Sequence, residues 1–189
     1  MKRSELKQLI KEVITELSPE TLSRAAIKKY QSGRGDRGEK LQQVAGDRRR
    51  QNIIVKIAKV LGVDYDPYNK DDDQKHELDN YRYLRGIKLY NGIGQLNDHE
   101  FNLGIIDVDL ENKRIQLDAA GGIGSLYLFV KKNDDGKEIV VAREGFIDSP
   151  HLDGKHDRYI AFSKPSRIKI LKAFKNMGYN INVNNVLTY

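Results

Sequence analysis

Residues 101–144 read FNLGIIDVDLENKRIQLDAAGGIGSLYLFVKKNDDGKEIVVARE, and this stretch decides the fold. Apolar residues alternate with polar ones, or run together, over 101–110, 113–119, 125–132 and 137–144, a pattern typical of β-strands. The segments between these strands are too short for parallel crossovers, so the strands must pair antiparallel. We therefore predict an antiparallel meander of about four strands.

Helical patterns precede the meander. Residues 2–17 carry apolar side chains at spacings of three and four, which predicts one amphipathic helix. Ser18 followed by Pro19 predicts the start of a second helix, ending near Tyr30, because serine is a favoured N-cap and proline fits the first helical position. Its predicted buried side is made of Leu22, Ala25, Ala26 and either Ile27 or Tyr30.

A third helix follows the glycine-rich segment at 33–38. Asp36 and Glu39 have the spacing of a capping box, and Gly62 fits a C-cap, so the helix is predicted over 37–61. The proline-containing acidic segment 63–80 separates this helical part from the rest of the chain, although a short helix over 72–84 fits the pattern.

A helix also follows the meander. Ser163 or Ser166 is predicted to cap it and Gly178 to end it, with an edge strand at Ile181 and Val183. The side chains predicted to face inward are Ile168, Leu171, Ala173 or Phe174, and Met177. The fold class is thus α+β: an N-terminal helical arm of about three helices, then an antiparallel β-meander domain with a C-terminal helix. The predicted organisation is a basic helical arm at 1–62, an acidic linker at 63–80 and an α+β domain at 81–189.

Charge is distributed unevenly along the 189 residues. Residues 1–62 hold 15 Lys and Arg against 7 Asp and Glu, residues 63–163 hold 13 against 20, and residues 164–189 hold 5 against none. Such a layout fits binding to polyanions, and equally fits basic ends of one subunit packing on the acidic middle of another. No apolar run is long enough to span a membrane, so no membrane partner is predicted.

Catalytic and cofactor motifs are not evident in the sequence. The absence of cysteine excludes disulfides and thiolate metal sites, and no serine lies in a nucleophile elbow. The glycine pairs at 91–96 and 121–126 fit turns rather than a dinucleotide loop. We predict a non-enzymatic protein without a cofactor. Imidazole and carboxylate groups within 151–157 are weak candidates for a metal site, namely His151, Asp153 and His156.

Basic residues are the candidate binding groups, because several Lys or Arg side chains acting together are needed to hold phosphates or an acidic partner. A solvated helix face is the alternative interpretation, and the lack of aromatic residues among the arginines argues against a stacking platform in the arm. The candidates lie in the arm and in the C-terminal helix: Arg34, Arg37, Arg48, Arg49, Arg50, Arg167, Lys169 and Lys172.

The opening MKRSELKQLIKEVITE, residues 1–16, resembles the starts of small proteins of marine tailed bacteriophages. LSPETLSRAAIKKY (residues 17–30), the basic helix after it and the ending Ala58–Leu61 resemble a short helical module of uncharacterised proteins in such phages. The resemblance covers the first third of the chain, and Ala25 or Ala26 stands where the module has tyrosine. It implies a viral origin and no particular chemistry.

The leading functional prediction is a viral structural or assembly protein. Its basic arm would dock to subunits of the same or a neighbouring virion component, and a homo-oligomer is expected. The protein would reside in the host cytoplasm during assembly and then in the virion. The first alternative is a nucleic-acid-binding accessory protein that uses the basic arm, and the second is a small metal-dependent hydrolase or nuclease.

Overall fold

The computed structural model describes residues 17–67, 72–91, 95–96, 99–118, 125–144 and 157–188. Contacts divide the chain into two compact units at Asn52 and Ile53, inside the longest helix. The predicted boundaries stand instead at 62 and 80. The difference arises because the last turns of that helix bury apolar side chains in the core of the second unit, so they belong to the β-rich body.

The first unit contains a helical hairpin. Helix α1 spans Pro19–Gln31, and helix α2 spans Gly35–Leu61, of which the part up to Asn52 belongs to this unit. The Ser18 hydroxyl accepts a hydrogen bond from the Thr21 amide at 3.2 Å, which confirms the predicted cap. The capping box predicted at Asp36 was wrong, because the Arg34 carbonyl already accepts from the amides of Arg37 and Gly38.

Helix α2 buries different faces along its length. Gly38 and Ala45 are buried in the first unit, whereas Ile57, Ala58 and Leu61 are buried in the core of the second. With 100° per residue, the two sets lie on different sides of the helix. The helix ends as predicted at Gly62, whose φ is +67° and where Val63 donates to the Ala58 carbonyl at 2.9 Å.

The second unit is mixed α+β, which confirms the predicted fold class at that level. Helix α3 comes first, then strands β1 to β7, helix α4, a 3₁₀ turn and strand β8. The bounds are α3 Asp72–Arg82, β1 Tyr83–Asn91, β2 Gln95–Leu96, β3 Phe101–Asp109, β4 Arg114–Leu117, β5 Leu126–Lys132, β6 Glu138–Glu144, β7 Asp157–Phe162, α4 Lys164–Asn176, the 3₁₀ turn Val183–Asn185 and β8 Leu187–Thr188.

Six antiparallel strands close into a barrel in the described part of the chain. Their order is β1-β3-β4-β5-β6-β7, and β7 pairs back onto β1 through Ile87 with Phe162 and Leu89 with Ile160. This closure, with more strands than predicted, joins segments about 75 residues apart and has no local sequence signal. Strand β8, Leu187–Thr188, pairs parallel to β7, and the edge strand predicted at Ile181 and Val183 was wrong because Val183 begins the 3₁₀ turn.

Inward-facing apolar residues form the barrel core. Ile115 is paired with Leu128 across strands, and Leu117 with Leu126, so both pairs share a face. Side chains from the end of α2, from α3 and from α4 join the same core, including Leu61, Leu78 and Phe174. The barrel and these helices therefore form one folded body.

A β-bulge in β1 fastens the barrel to helix α4. The pairing register of β1 shifts between Leu84 and Ile87, and Gly86 has a φ of +63°. At this bulge the Ser166 hydroxyl donates to the Arg85 carbonyl at 2.6 Å and accepts from the Arg85 amide at 2.9 Å. The Ser163 hydroxyl also donates to that carbonyl at 2.6 Å. Ser163 occupies the predicted N-cap position, but its hydroxyl serves the bulge rather than the helix.

Replacing Ser166 by alanine is expected to lower the free energy of unfolding by about 1–3 kcal/mol, because the partly buried Arg85 amide loses the hydroxyl, itself buried, that accepts its hydrogen bond. Urea denaturation measures the loss. The control is Ser163→Ala, which leaves the Arg85 carbonyl bonded to Ser166 and should cost less. Equal losses for the two variants would show that the bulge does not depend on Ser166.

Candidate docking surface

The helical hairpin of the first unit carries the arginines predicted as a binding surface. A three-residue connector, Ser32–Arg34, joins α1 to α2, so the two helices run antiparallel. They approach closely at Gly38, where a Cβ atom would lie 3.0 Å from the Tyr30 ring and 3.2 Å from the Ala26 carbonyl oxygen. A larger residue at 38 would push the helices apart.

The buried interior of this hairpin is small. Among its described residues, the buried apolar side chains are Pro19, Leu22, Ala26 and Ala45. Larger apolar side chains lie outside this interior: Ile27 is 55% exposed and Tyr30 is 42% exposed. The prediction that Ile27 or Tyr30 completes the buried side was therefore wrong for Ile27, while Tyr30 contacts Gly38 with part of its ring. The described parts of the two helices thus bury little apolar surface between them.

Arg48 differs from its two neighbours. Its guanidinium donates a hydrogen bond to the Leu17 carbonyl just before α1, and its side chain is half-buried. Arg48 thus closes the hairpin, whereas Arg49 and Arg50 are exposed. The sequence alone predicted one role for the three arginines. In the helix their side chains point in different directions, so their environments differ.

Arg34 and Arg37 lie at the connector. Together with Gly33, Gly35 and Asp36 they line an open polar depression of about 440 Å³. Both arginine side chains are exposed. The depression therefore presents two cations beside one carboxylate.

Electrostatics on the hairpin favour bound anions. Residues 17–52 hold nine Lys and Arg against four Asp and Glu. The pKa of Glu20 is lowered, chiefly by a hydrogen bond from its own backbone amide, then by the Ser18 hydroxyl, and further by the charges of Arg49 and Arg24. Glu20 is fully ionised at neutral pH, and it offsets part of the Arg49 charge while the rest of the basic surface dominates.

The candidate cations of helix α4 lie in the second unit and contact helix ends there. The Lys169 ammonium donates to the carbonyls of Asn80 at 3.3 Å and Tyr83 at 3.0 Å, at the end of α3. The Lys172 ammonium lies 3.5 Å from the Gly62 carbonyl, at the end of α2. Cations at helix C-termini satisfy unpaired carbonyls and oppose the negative end of the helix dipole. These two lysines therefore have structural roles, and Arg167 beside them is half-buried.

The metal candidates His151, Asp153 and His156 lie outside the described residues. Within the ranges that the structure does describe, no group of three or more His, Asp or Glu side chains is placed to hold a metal ion. In those same ranges no helix is both long enough and apolar enough to cross a membrane.

The sequence interpretation missed a second cluster, at the junction of α3 and β1. Residues 81–85 read YRYLR, in which tyrosines alternate with a basic residue, and Tyr81 and Tyr83 are 39% and 41% exposed. This interleaving is the signal that was lacking in the arm. It was overlooked because 72–84 fits a helix, in which alternate residues do not share a face.

Comparison of the chain with protein-family models, with curated proteins and with solved structures gives no match. Function is therefore argued from the geometry of the hairpin and of the barrel.

Proposed function

We propose that this protein is a non-enzymatic assembly component whose basic helical hairpin docks onto an acidic surface of a neighbouring subunit, in the first instance a second copy of the same chain. The viral setting comes from the resemblance of the N-terminal third. In that setting the protein acts in the host cytoplasm during assembly and then in the virion. The helix predicted over residues 2–17 from their apolar spacing lies, apart from Leu17, outside the described residues.

One observation carries this proposal: Ile27 and Tyr30 are exposed on a hairpin of the first unit whose described residues bury little apolar surface. Large apolar side chains ringed by polar ones are typical of protein interfaces. The adjacent cations of α1, Lys28 and Lys29, fit an acidic partner surface. Burying Ile27 and Tyr30 against a partner would supply the apolar contact that the hairpin lacks.

The second unit carries exposed acidic residues, although Ile53–Tyr189 holds 20 Lys and Arg against 20 Asp and Glu in total. Its exposed acidic residues lie on helix α3 and in the turns that follow β3 and β5, among them Glu77, Glu111, Asp134 and Asp135. A hairpin of one copy on such a surface of another is a heterologous contact, which builds rings or open chains of subunits. Such geometry suits an assembly component.

The second candidate is a nucleic-acid-binding accessory protein. The observation in its favour is the exposure of Arg34, Arg37, Arg49 and Arg50, since exposed guanidinium groups can reach phosphates. Nucleic acid would need these cations but would gain little from Ile27. The two candidates therefore differ in which hairpin residue they require.

Replacing Ile27 by alanine tests the proposal. We expect self-association to weaken by about tenfold, because a central apolar side chain of an interface contributes more than about 1 kcal/mol. Sedimentation velocity over a concentration series measures the association. Val183→Ala is the matched control, since Val183 is an apolar residue, 45% exposed, of the other unit.

The combined variant Arg49→Ala, Arg50→Ala separates the two candidates. Protein docking predicts weaker association for this variant and also for Ile27→Ala. A phosphate-binding arm predicts that the arginine variant flattens the salt dependence of DNA binding while Ile27→Ala changes nothing. Unchanged association of both variants would overturn the docking proposal.

A further inference from the structure

Exposed tyrosines and cations meet on the barrel where helix α3 passes into strand β1. Tyr81 is in the last turn of α3 and Tyr83 is the first residue of β1. Their side chains are 39% and 41% exposed. Two accessible aromatic rings, separated by one residue, are a feature with no role in the barrel core.

Two cations adjoin these rings. The Lys169 ammonium lies 5.5 Å from the centre of the Tyr81 ring and is held by the carbonyls of Asn80 and Tyr83. An ammonium has three donors, so one remains for a further acceptor. The Arg85 side chain is exposed on β1 close enough to affect Lys169. The pKa of Lys169 is lowered, first by burial of its ammonium group and then by the positive charge of Arg85. An anion bound between Lys169 and Arg85 would reduce the repulsion between these two cations.

Acidic residues nearby are engaged elsewhere. Asp79 pairs with the Arg82 guanidinium at 2.9 Å, and Asp118 accepts from the Gly104 amide at 2.9 Å. Across the described ranges no carboxylate lies at ion-pair distance from Lys169 or Arg85. The three cations near the rings, Arg82, Arg85 and Lys169, outnumber the two carboxylates, Asp79 and Asp118, by one charge.

The position of Tyr83 is explained in part by a structural role, whereas no such role is seen for Tyr81 in the part of the chain that the structure describes. The Tyr83 ring lies over Gly104 on the paired strand, 3.4 Å from where a Cβ atom would be, and the Arg82 guanidinium lies 5.4 Å from its centre. Covering a strand glycine with an aromatic ring is a known stabilising device. At Gly104, the strand glycine whose surroundings the structure gives, the ring in contact is that of Tyr83 and not Tyr81, so Tyr81 is the residue whose replacement tests the site.

We propose that the surface formed by Tyr81, Tyr83, Arg85 and Lys169 binds single-stranded nucleic acid, with bases stacked on the tyrosine rings and a phosphate held by the two cations. Bases of a single strand expose their faces, whereas those of a duplex are stacked inside it, so the rings select the single strand. An acidic peptide would use the cations and leave the rings unused. This site belongs to the barrel unit, and it goes beyond the docking proposed for the hairpin.

The test is fluorescence anisotropy of the full chain with a short labelled oligothymidylate and with a duplex of the same length. We expect preference for the single strand. Tyr81→Ala should weaken single-strand binding by about tenfold, since stacking contributes about 1–3 kcal/mol per base. Tyr81→Phe should retain it. Arg85→Ala should reduce the slope of log affinity against log salt by about 0.7.

Tyr159→Ala is the matched control, because Tyr159 is 50% exposed on strand β7 and is not part of this surface. Ile27→Ala should leave single-strand binding unchanged, so failure of hairpin docking is recognised separately. Undetectable single-strand binding, or equal losses for Tyr81→Ala and Tyr159→Ala, would overturn the proposal. Complete loss in the Arg49→Ala, Arg50→Ala variant with no effect of Tyr81→Ala would place the binding on the hairpin instead.

Discussion

Replacing Phe174 by alanine should lower the free energy of unfolding by about 3–5 kcal/mol, a large part of the stability of a domain of this size. The Phe174 side chain is fully buried where helix α4 covers the barrel core, beside Ile170 and Ala173. Its ring meets the Tyr179 ring edge-on, with 5.9 Å between centres. Truncation removes these contacts and leaves a cavity that packed neighbours fill only in part.

Urea denaturation followed by circular dichroism measures this loss. Ile168→Ala is the matched control, because Ile168 lies on the same helix but is 56% exposed, so the prediction that it faces inward was wrong. Its expected change is within about 0.5 kcal/mol. Similar losses for the two variants would mean that α4 does not bury the face assigned to it.

Replacing Asp157 by alanine should cost about 2–3 kcal/mol. This carboxylate is on the outer face of β7, yet its side chain is only 5% exposed. It lies 2.7 Å from the Arg143 guanidinium and 3.0 Å from the Lys131 ammonium. Its removal leaves two cations next to each other without the charge that separates them. We place the loss below that of a fully buried pair because Lys131 is 40% exposed and Arg143 is 24% exposed.

Thermal and urea unfolding of Asp157→Ala, Lys131→Ala and the double variant measure the coupling. Lys131→Ala should cost less than about 1 kcal/mol, because Asp157 keeps its bond to Arg143. The double variant should recover part of the loss caused by Asp157→Ala. Additive losses would show that the three charges do not act as a cluster.

Local signals in the sequence predicted the elements with strong boundaries. Ser18 with Pro19 marked the start of α1, and Gly62 marked the end of α2, because capping depends on residues next to each other. The alternation in 101–144 identified β3 to β6 for the same reason. These features need no knowledge of the rest of the fold.

Strands β1 and β7 were not predicted. In β1 the buried residues Leu84, Ile87 and Leu89 are spaced by three and then two, because the bulge at Arg85 and Gly86 inserts an extra residue. That insertion breaks the period of two on which strand recognition depends. Barrel closure is a pairing between these two strands, so missing both also concealed the barrel.

The basic residues could be found from the sequence, but their roles could not. Arg48, Lys169 and Lys172 each bond to a backbone carbonyl, whereas Arg49 and Arg50 are exposed. Whether a lysine contacts the end of another helix depends on how the elements pack, and the residue composition does not predict this packing. Of the predicted arginines, the exposed ones, Arg34, Arg37, Arg49 and Arg50, are therefore the better choices for mutations that test binding.

Light scattering coupled to size-exclusion chromatography, at low and high salt and with or without mixed DNA fragments, tests the central claim most directly. The hairpin-docking account predicts an assembly larger than one chain at low salt that forms without DNA and weakens as salt screens the charges. A chain that stays monomeric at every salt concentration, and gains mass only by binding DNA at low salt, would contradict it.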